Sequence, residues 1–271
     1  MDTFINSTDI KTLKESRKFE DSTIFEGMTS ISAVINSDEF NDRKIERVFY
    51  DSSNKKNLYG KLAFLRSKSV ELDFELIPVN REYIDSLTIG SSHGGVIAMC
   101  SERRIPFLSS CELKKEGFYV MLEGIEDPYN FGYCLRSLYA AGVDGIVLSK
   151  RNWMNAAGVV CRSSAGASEL LPLYIDEDGS SADLFRSLGY KVICAGIRNS
   201  VSFYDADMRR PVFLIIGGEK RGISSATISK ADQIVRIDYA MNFKGSLSAA
   251  STATVLGFEV MRQNKIAENF T

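Results

Sequence analysis

The sequence predicts an α/β chain: a small alternating unit in front, and behind it a larger domain built on a parallel sheet. Three observations carry this. Strand-length apolar runs alternate with stretches of helical spacing along most of the 271 residues. In the second half those runs are apolar at nearly every position, Val212-Phe213-Leu214-Ile215-Ile216 being the clearest, as befits strands covered on both faces. Between the halves lies a stretch with Pro106, Ser109-Ser110 and Lys114-Lys115-Glu116 that reads as a linker.

In order along the chain, residues 1–21 are too charged for an apolar leader and read as a helix or arm. A first domain is expected over 22–105. It has a short helix at 29–35, a strand at Arg47-Val48-Phe49-Tyr50 and turn residues at Asp51 to Asn54. Leu58, Leu62 and Leu65 then give helical spacing over 58–67. A strand at 73–77 should stop at Pro78, followed by a helix over 81–87 and the apolar strand 96–100. After the linker, 106–116, the second domain runs over 117–271. Its strands are expected at 118–122, 145–148, 191–195, 212–216 and 233–237. The helix 131–141 meets a stop at Gly142, and a long helix over 248–264 closes the domain.

Composition narrows the function classes. The formal charge is −2, with 17 Lys+Arg against 19 Asp+Glu over residues 1–116 and 16 against 16 beyond. Any nucleic-acid binding must therefore use local patches. The five cysteines show no CxxC spacing and there is one histidine, His93, which argues against a zinc site and a disulfide framework. No stretch approaches the ~20 apolar residues that span a bilayer. The expectation is a reduced, cytoplasmic protein without metal or membrane.

Three segments carry the functional signal: Asp127-Pro128-Tyr129-Asn130-Phe131-Gly132 with Arg136, then Gly217-Gly218-Glu219-Lys220-Arg221-Gly222, then Ser246-Leu247-Ser248-Ala249-Ala250. The first two directly follow strands, where open α/β sheets bind ligands. No G-x-G-x-x-G opens a helix and no P-loop spacing occurs, which disfavours a nucleotide-phosphate cradle. Each piece also has a plain reading. Asn130 is placed to cap its helix, Ser246 and Ser248 the last one, and Gly217-Gly218 is a simple turn. His93 reads either as a catalyst or as a turn residue before a strand. Lys150-Arg151, Arg209-Arg210, Lys220-Arg221 and Arg103-Arg104 are either phosphate contacts or solvated charges.

Taken in order, the three segments resemble the motifs of the SpoU (TrmH-type) branch of the SPOUT methyltransferases, over roughly 117–264. Asn130-Phe131-Gly132 with Arg136 is similar to the first motif, Gly217 to Gly222 to the second, and Ser246 to Ala250 to the third. Ser164-Ala165-Gly166-Ala167 resembles a further signature. Phe25-Glu26-Gly27 and His93 to Ala98 resemble a small substrate-binding module of the ribosomal-protein-L30e-like type. Three positions depart from the pattern: Ser248 stands for an Asn, Asp238-Tyr239 for Pro-Met, and Gly94 for a Gln.

The resemblance implies transfer of a methyl group from S-adenosyl-L-methionine to a ribose 2′-hydroxyl in RNA, ribosomal rather than transfer RNA. It also implies a deep C-terminal trefoil knot, one of the rare exceptions to unthreaded topology, and a homodimer. By the same resemblance Arg136, Asn130 and Ser246 are the catalytic candidates. Ala195, Gly196, Gly217, Glu219, Gly222, Ile237, Ser246 and Leu247 are expected around the cofactor, with Glu219 anchoring its loop. The alternatives are a non-catalytic RNA-binding protein on the same fold, a transfer-RNA 2′-O-methyltransferase, and an unrelated α/β enzyme with a nucleotide cofactor.

Overall fold

A computed structural model of the protein describes residues 24–88, 93–149 and 156–268. The expected arm over 1–21 and the pair Lys150-Arg151 lie outside them. The chain forms two units, one of residues 1–104 with 152–170, the other of 105–151 with 171–271.

The first unit holds a four-stranded sheet. Its elements are β1 (Ile24–Glu26), α1 (Gly27–Ile35), β2 (Ile45–Asp51), α2 (Lys55–Leu72), β3 (Glu75–Val79), α3 (Arg81–Leu87) and β4 (Val96–Cys100). The strand order is β1-β4-β2-β3. The spacing of Leu58, Leu62 and Leu65 does put all three on the buried face of α2. That helix ends at Asp73, which takes a left-handed φ of 55°, so β3 starts two residues later than expected. Pro78 does not stop β3 but sits within it, paired with Tyr50. As β3 is an edge strand, the missing proline N–H is tolerated on its open side.

Two helices from far along the chain complete this unit: α5 (Ala157–Ser163) and α6 (Ala167–Leu170). Cys161 joins the core of Phe25, Ile31, Val48 and Leu65. Beside it Arg43 and Glu169 form a buried ion pair at 3.0 Å, each side chain only 3% exposed. The sequence pattern places these helices in one continuous domain, 117–271, whereas the structure packs them with the front unit. Ser164 to Ala167 forms the turn between them, with Ala165 and Gly166 both at positive φ.

The second unit is a seven-stranded sheet in which every neighbouring pair is parallel. It contains β5 (Phe118–Glu123), β6 (Gly145–Ser149), β7 (Leu173–Asp176), β8 (Lys191–Ala195), β9 (Val201–Ser202), β10 (Val212–Gly217) and β11 (Gln233–Arg236). The order is β7-β6-β5-β10-β8-β11-β9. Its helices are α4 (Pro128–Ala140), α7 (Ser181–Ser187), α8 (Ser225–Ile228) and α9 (Ala249–Glu268). On one face of the sheet Phe185 stacks on Phe213 at 4.0 Å among Tyr119, Tyr190 and Cys194. Elsewhere α9 packs along α4. The stretch 106–116, expected as a linker, belongs to this unit: Leu108 is buried in its core and the Lys114 N–H donates to the Tyr119 hydroxyl. Gly142 ends α4 as expected. It has φ +78°, its N–H donates to Tyr139 O, and Val143 N–H donates to Leu138 O.

Candidate functional site

Strands β5, β10, β8 and β11 are consecutive neighbours and all parallel, so their carboxyl ends share one edge of the sheet. At the ~4.8 Å spacing of strands these four ends cover about 14 Å. Ala195 and Gly217 are the last residues of β8 and β10, and Ile237 is the first beyond β11. Gly196 leaves β8 with its N–H on Val235 O at 2.9 Å. Four of the sequence-predicted cofactor residues are thus gathered on one edge, where backbone polar groups leave the ladder and are available to a ligand.

The loop after β10 folds back on itself. Gly218 N–H donates to Glu123 O at 2.8 Å, and Gly222 N–H donates to Gly218 O at 2.9 Å. There is no room for side chains inside this turn: a Cβ on Gly217 would lie 2.4 Å from the Gly222 carbonyl carbon, and one on Gly218 2.2 Å from Gly124 O. The outer side is different. Gly222, at φ +63°, has nothing within 4 Å where its Cβ would stand. The loop is therefore closed against the sheet and open outward. Its exit is fixed by Ser224 N–H, which donates to Glu123 Oε1 at 3.1 Å, while Glu123 Oε2 is buried without a hydrogen-bond partner among the described residues.

Glu219 joins the three motifs. Its Oε1 accepts from Asn130 Nδ2 at 3.1 Å and from the Ala249 N–H, at the start of α9, at 3.2 Å. Asn130 is free for this because it does not cap α4; Asp127 does, accepting the Tyr129 N–H, with Pro128 following. The cap of α9 is Ser248, whose Oγ accepts Ser251 N–H at 3.1 Å and whose carbonyl accepts Thr252 N–H. Ser and Asn are near-equal caps, so the departure at this position keeps the local role. A carboxylate at the first N–H groups of α9 also meets the positive end of its dipole.

Arg136 is exposed on α4, and among the described residues it has no hydrogen-bond or ion-pair partner. Ser246 is exposed in the loop before α9, and Leu247 N–H donates to the Tyr239 hydroxyl at 3.1 Å. The other basic pairs divide. Lys220 is paired with Glu126 at 2.9 Å beside an exposed Arg221. Arg209 and Arg210, by contrast, precede β10 at the amino ends of the strands, bound to Asp207 and Asp144. They stand on the edge opposite the motifs. Arg103 is buried, donating to Ser168 O and lying over Phe40. His93 is also buried. Its Nδ1 accepts the Gly95 N–H, so Nε2 carries the proton it shares with Asp85 at 2.8 Å. It serves as a buried turn residue before β4.

Two thiols lie close to the site, and neither is a nucleophile. Burial, with the Glu219 charge adding to it, pushes the Cys134 thiol up to about 12. Burial and the Glu123 charge do the same for Cys194, again to about 12. Both stay protonated near neutral pH. Among the described residues no group of three or more His, Cys, Asp or Glu is placed to hold a metal ion. None of the described helices is long and apolar enough to cross a membrane. The chemistry available here is hydrogen bonding, backbone groups, the exposed guanidinium of Arg136 and a hydroxyl. The sequence did not single out Glu123 or the tether from Tyr239. Glu123 carries no signal beyond its place at a strand end, whereas Tyr239 stood out only as a departure.

Residues 117–258 match the family model described as the SpoU rRNA Methylase family. A protein of Staphylococcus haemolyticus assigned to the TrmH family of tRNA/rRNA methyltransferases is 28% identical over 211 residues, 75% of this chain and 83% of its own. The 23S rRNA (guanosine-2'-O-)-methyltransferase RlmB of Xylella fastidiosa (strain Temecula1) is 27% identical over 252 residues, 88% of this chain and 97% of its own. Among solved structures, an AdoMet-bound rRNA methyltransferase from Sinorhizobium meliloti superimposes with a TM-score of 0.75 at 24% identity, covering 94% of this chain and 93% of that one. An RNA 2'-O ribose methyltransferase does so with the same TM-score at 21% identity, covering 95% and 96%. At these identities the structural likeness establishes the α/β fold with its parallel sheet.

Proposed function

The chain belongs to the SpoU rRNA methylase family, and from that membership and the geometry of its loops we propose that it is an S-adenosylmethionine-dependent RNA methyltransferase acting on a ribose 2′-hydroxyl. The observation that carries the proposal is the Glu219 joint. One carboxylate oxygen ties Asn130 to the start of α9, so the three motifs form one hydrogen-bonded set at the strand ends.

The residues present fit the cofactor. The Gly217 to Gly222 turn is closed on its inner side and has open space beyond Gly222, and Ala195, Gly196 and Gly217 are only half-buried at neighbouring strand ends. Together with Ile237, Ser246 and Leu247 they would hold it, and Glu219 keeps their loops in register. When bound, S-adenosylmethionine supplies a methyl group already activated on a sulfonium. Transfer forms the O–CH3 bond, breaks the S–CH3 bond to leave S-adenosylhomocysteine, and gives up the 2′-hydroxyl proton to solvent water, so what remains for the protein is alignment and charge.

Arg136 is a permanent cation and an unsuitable base. Its exposed guanidinium, unpaired among the described residues, clamps a phosphate next to the target ribose and stabilises negative charge growing on the 2′-oxygen. Asn130, held by Glu219, anchors the first turn of α4, the helix that carries Arg136. Ser246 offers a hydroxyl on the acceptor side. Lys220 and Arg221 add phosphate contacts on the same edge.

Ribosomal RNA is the preferred substrate in this reading, supported by the names of the full-length relatives. A transfer-RNA substrate is the second reading, since the Staphylococcus relative's name covers both. The front unit serves as an L30e-like substrate module. The C-terminal segment passes through a loop as a trefoil knot, a reading supported by membership of the family. The protein works as a cytoplasmic homodimer. Tyr129, Tyr133 and Tyr139, exposed on α4, supply apolar area for the subunit contact.

Calorimetry with S-adenosylhomocysteine tests the reading: the folded protein should bind it, and failure to bind would remove the methyltransferase assignment. Arg136→Ala should keep that binding and lose methyl transfer. Full activity in this variant would take Arg136 out of the mechanism.

A further inference from the structure

We infer that Tyr239 is a positioning residue for the cofactor loop, holding Ser246 and Leu247 in their binding arrangement through a hydrogen bond from the Leu247 N–H to its hydroxyl. The inference rests on the methyltransferase reading above.

The segment 237–248 between β11 and α9 has no regular secondary structure, and residues 238–246 are all exposed. Such a loop orders itself only through specific contacts. Its ends are fixed. Asp238 pairs with Arg236 at 2.8 Å on one side, and Ser248 caps α9 on the other, with Glu219 on the Ala249 N–H. Neither anchor reaches the residues between. Tyr239 does, because its hydroxyl accepts the Leu247 N–H at 3.1 Å across eight residues.

Two further contacts hold the ring in place. Phe243 meets Tyr239 edge-on, with centroids 5.6 Å apart and planes at 61°. The Phe243 ring in turn lies against the backbone of Gly245, where a Cβ would come within 2.5 Å of it. A Phe243 N–H to Met241 O bond of 2.8 Å tightens the bend between them. The loop is therefore a small self-packed unit: Tyr239 against Phe243, Phe243 against Gly245, and Tyr239 closing on Leu247. Its two site residues lie at the closing point.

A ligand that binds the ordered loop binds more weakly when that arrangement is only fractionally populated, in proportion to the fraction. Removing the hydroxyl should therefore lower affinity and leave the chemical step alone. Tyr239→Phe keeps the ring and its contact with Phe243, so it isolates the hydrogen bond. At the usual strength of one net hydrogen bond, affinity for S-adenosylhomocysteine should fall about fivefold by calorimetry, and KM for S-adenosylmethionine should rise by the same factor. The kcat at saturating cofactor and the thermal midpoint should match the parent protein, and the Leu247 amide should exchange with solvent faster. A variant that binds as tightly as the parent, or more tightly, overturns the role of Tyr239 and leaves the methyltransferase reading intact. A parent protein that binds no S-adenosylhomocysteine overturns both.

Discussion

Replacing Glu169 by Gln should unfold the front unit far more readily than an isosteric change normally would. The Glu169 carboxylate accepts from Arg43 Nε at 3.0 Å and Asn41 Nδ2 at 2.9 Å on one oxygen, and from Ser168 Oγ at 3.1 Å on the other. Arg43 spends another donor on Ser101 O at 2.7 Å and lies 4.8 Å over the Phe25 ring. A glutamine can still accept on one side and donate toward Ser168, so few hydrogen bonds need be lost. What disappears is the negative charge, leaving an arginine side chain that is only 3% exposed without its counter-charge. Breaking a buried pair in this way costs about 3–5 kcal/mol. For a unit of this size each kcal/mol moves the midpoint by roughly 4–8 °C, so the first calorimetric transition should fall by about 12 °C or more. The double variant Arg43→Met with Glu169→Leu should recover most of the loss, because no charge is then stranded. A midpoint for Glu169→Gln within a degree or two of the parent would refute the reasoning, as would a double variant no better than the single one.

Ser248→Ala should cost about 1 kcal/mol in urea unfolding through loss of the α9 cap, while Ser248→Asn should be neutral; equal costs would show that capping is not its role. Gly218→Ala puts a Cβ 2.2 Å from a backbone carbonyl oxygen and should abolish S-adenosylhomocysteine binding, read by calorimetry on a protein whose circular dichroism is unchanged. At pH 8, one of the five thiols should react quickly with a disulfide reagent. That thiol is Cys111; burial raises the others, Cys134, Cys161 and Cys194 to about 12 and Cys100 beyond, and more than one fast equivalent would contradict this.

The sequence made the second unit's sheet legible because its strands are buried on both faces and read as unbroken apolar runs, as at Val212 to Ile216. It hid β7 and β9, which are edge strands of four and two residues. Pro78 misled for the same reason, since a proline reads as a stop whether the strand is central or at an edge. The return of α5 and α6 to the front unit is a long-range event. Arg43 and Glu169 are 126 residues apart, and nothing in the local pattern of either announces the other. Of the site, the residue types and their order were readable, because glycines and polar side chains at strand ends have few structural alternatives. Which partner each would take was not. Asn130 was open between capping and the site until Asp127 proved to be the cap, and Tyr239 read only as an anomaly until its hydroxyl was found on Leu247.

The central claim is tested most directly by where the label goes when the protein is incubated with ribosomal RNA and S-adenosylmethionine carrying a tritiated methyl group. Alkaline cleavage of RNA requires a free 2′-hydroxyl, so a 2′-O-methyl group leaves its nucleotide joined to the next in an alkali-resistant dinucleotide. The label should appear in that fraction and be absent with Arg136→Ala. Label confined to alkali-released mononucleotides would mean methylation of a base, and no label from a folded protein that binds S-adenosylhomocysteine and is offered both ribosomal and transfer RNA would contradict the activity itself.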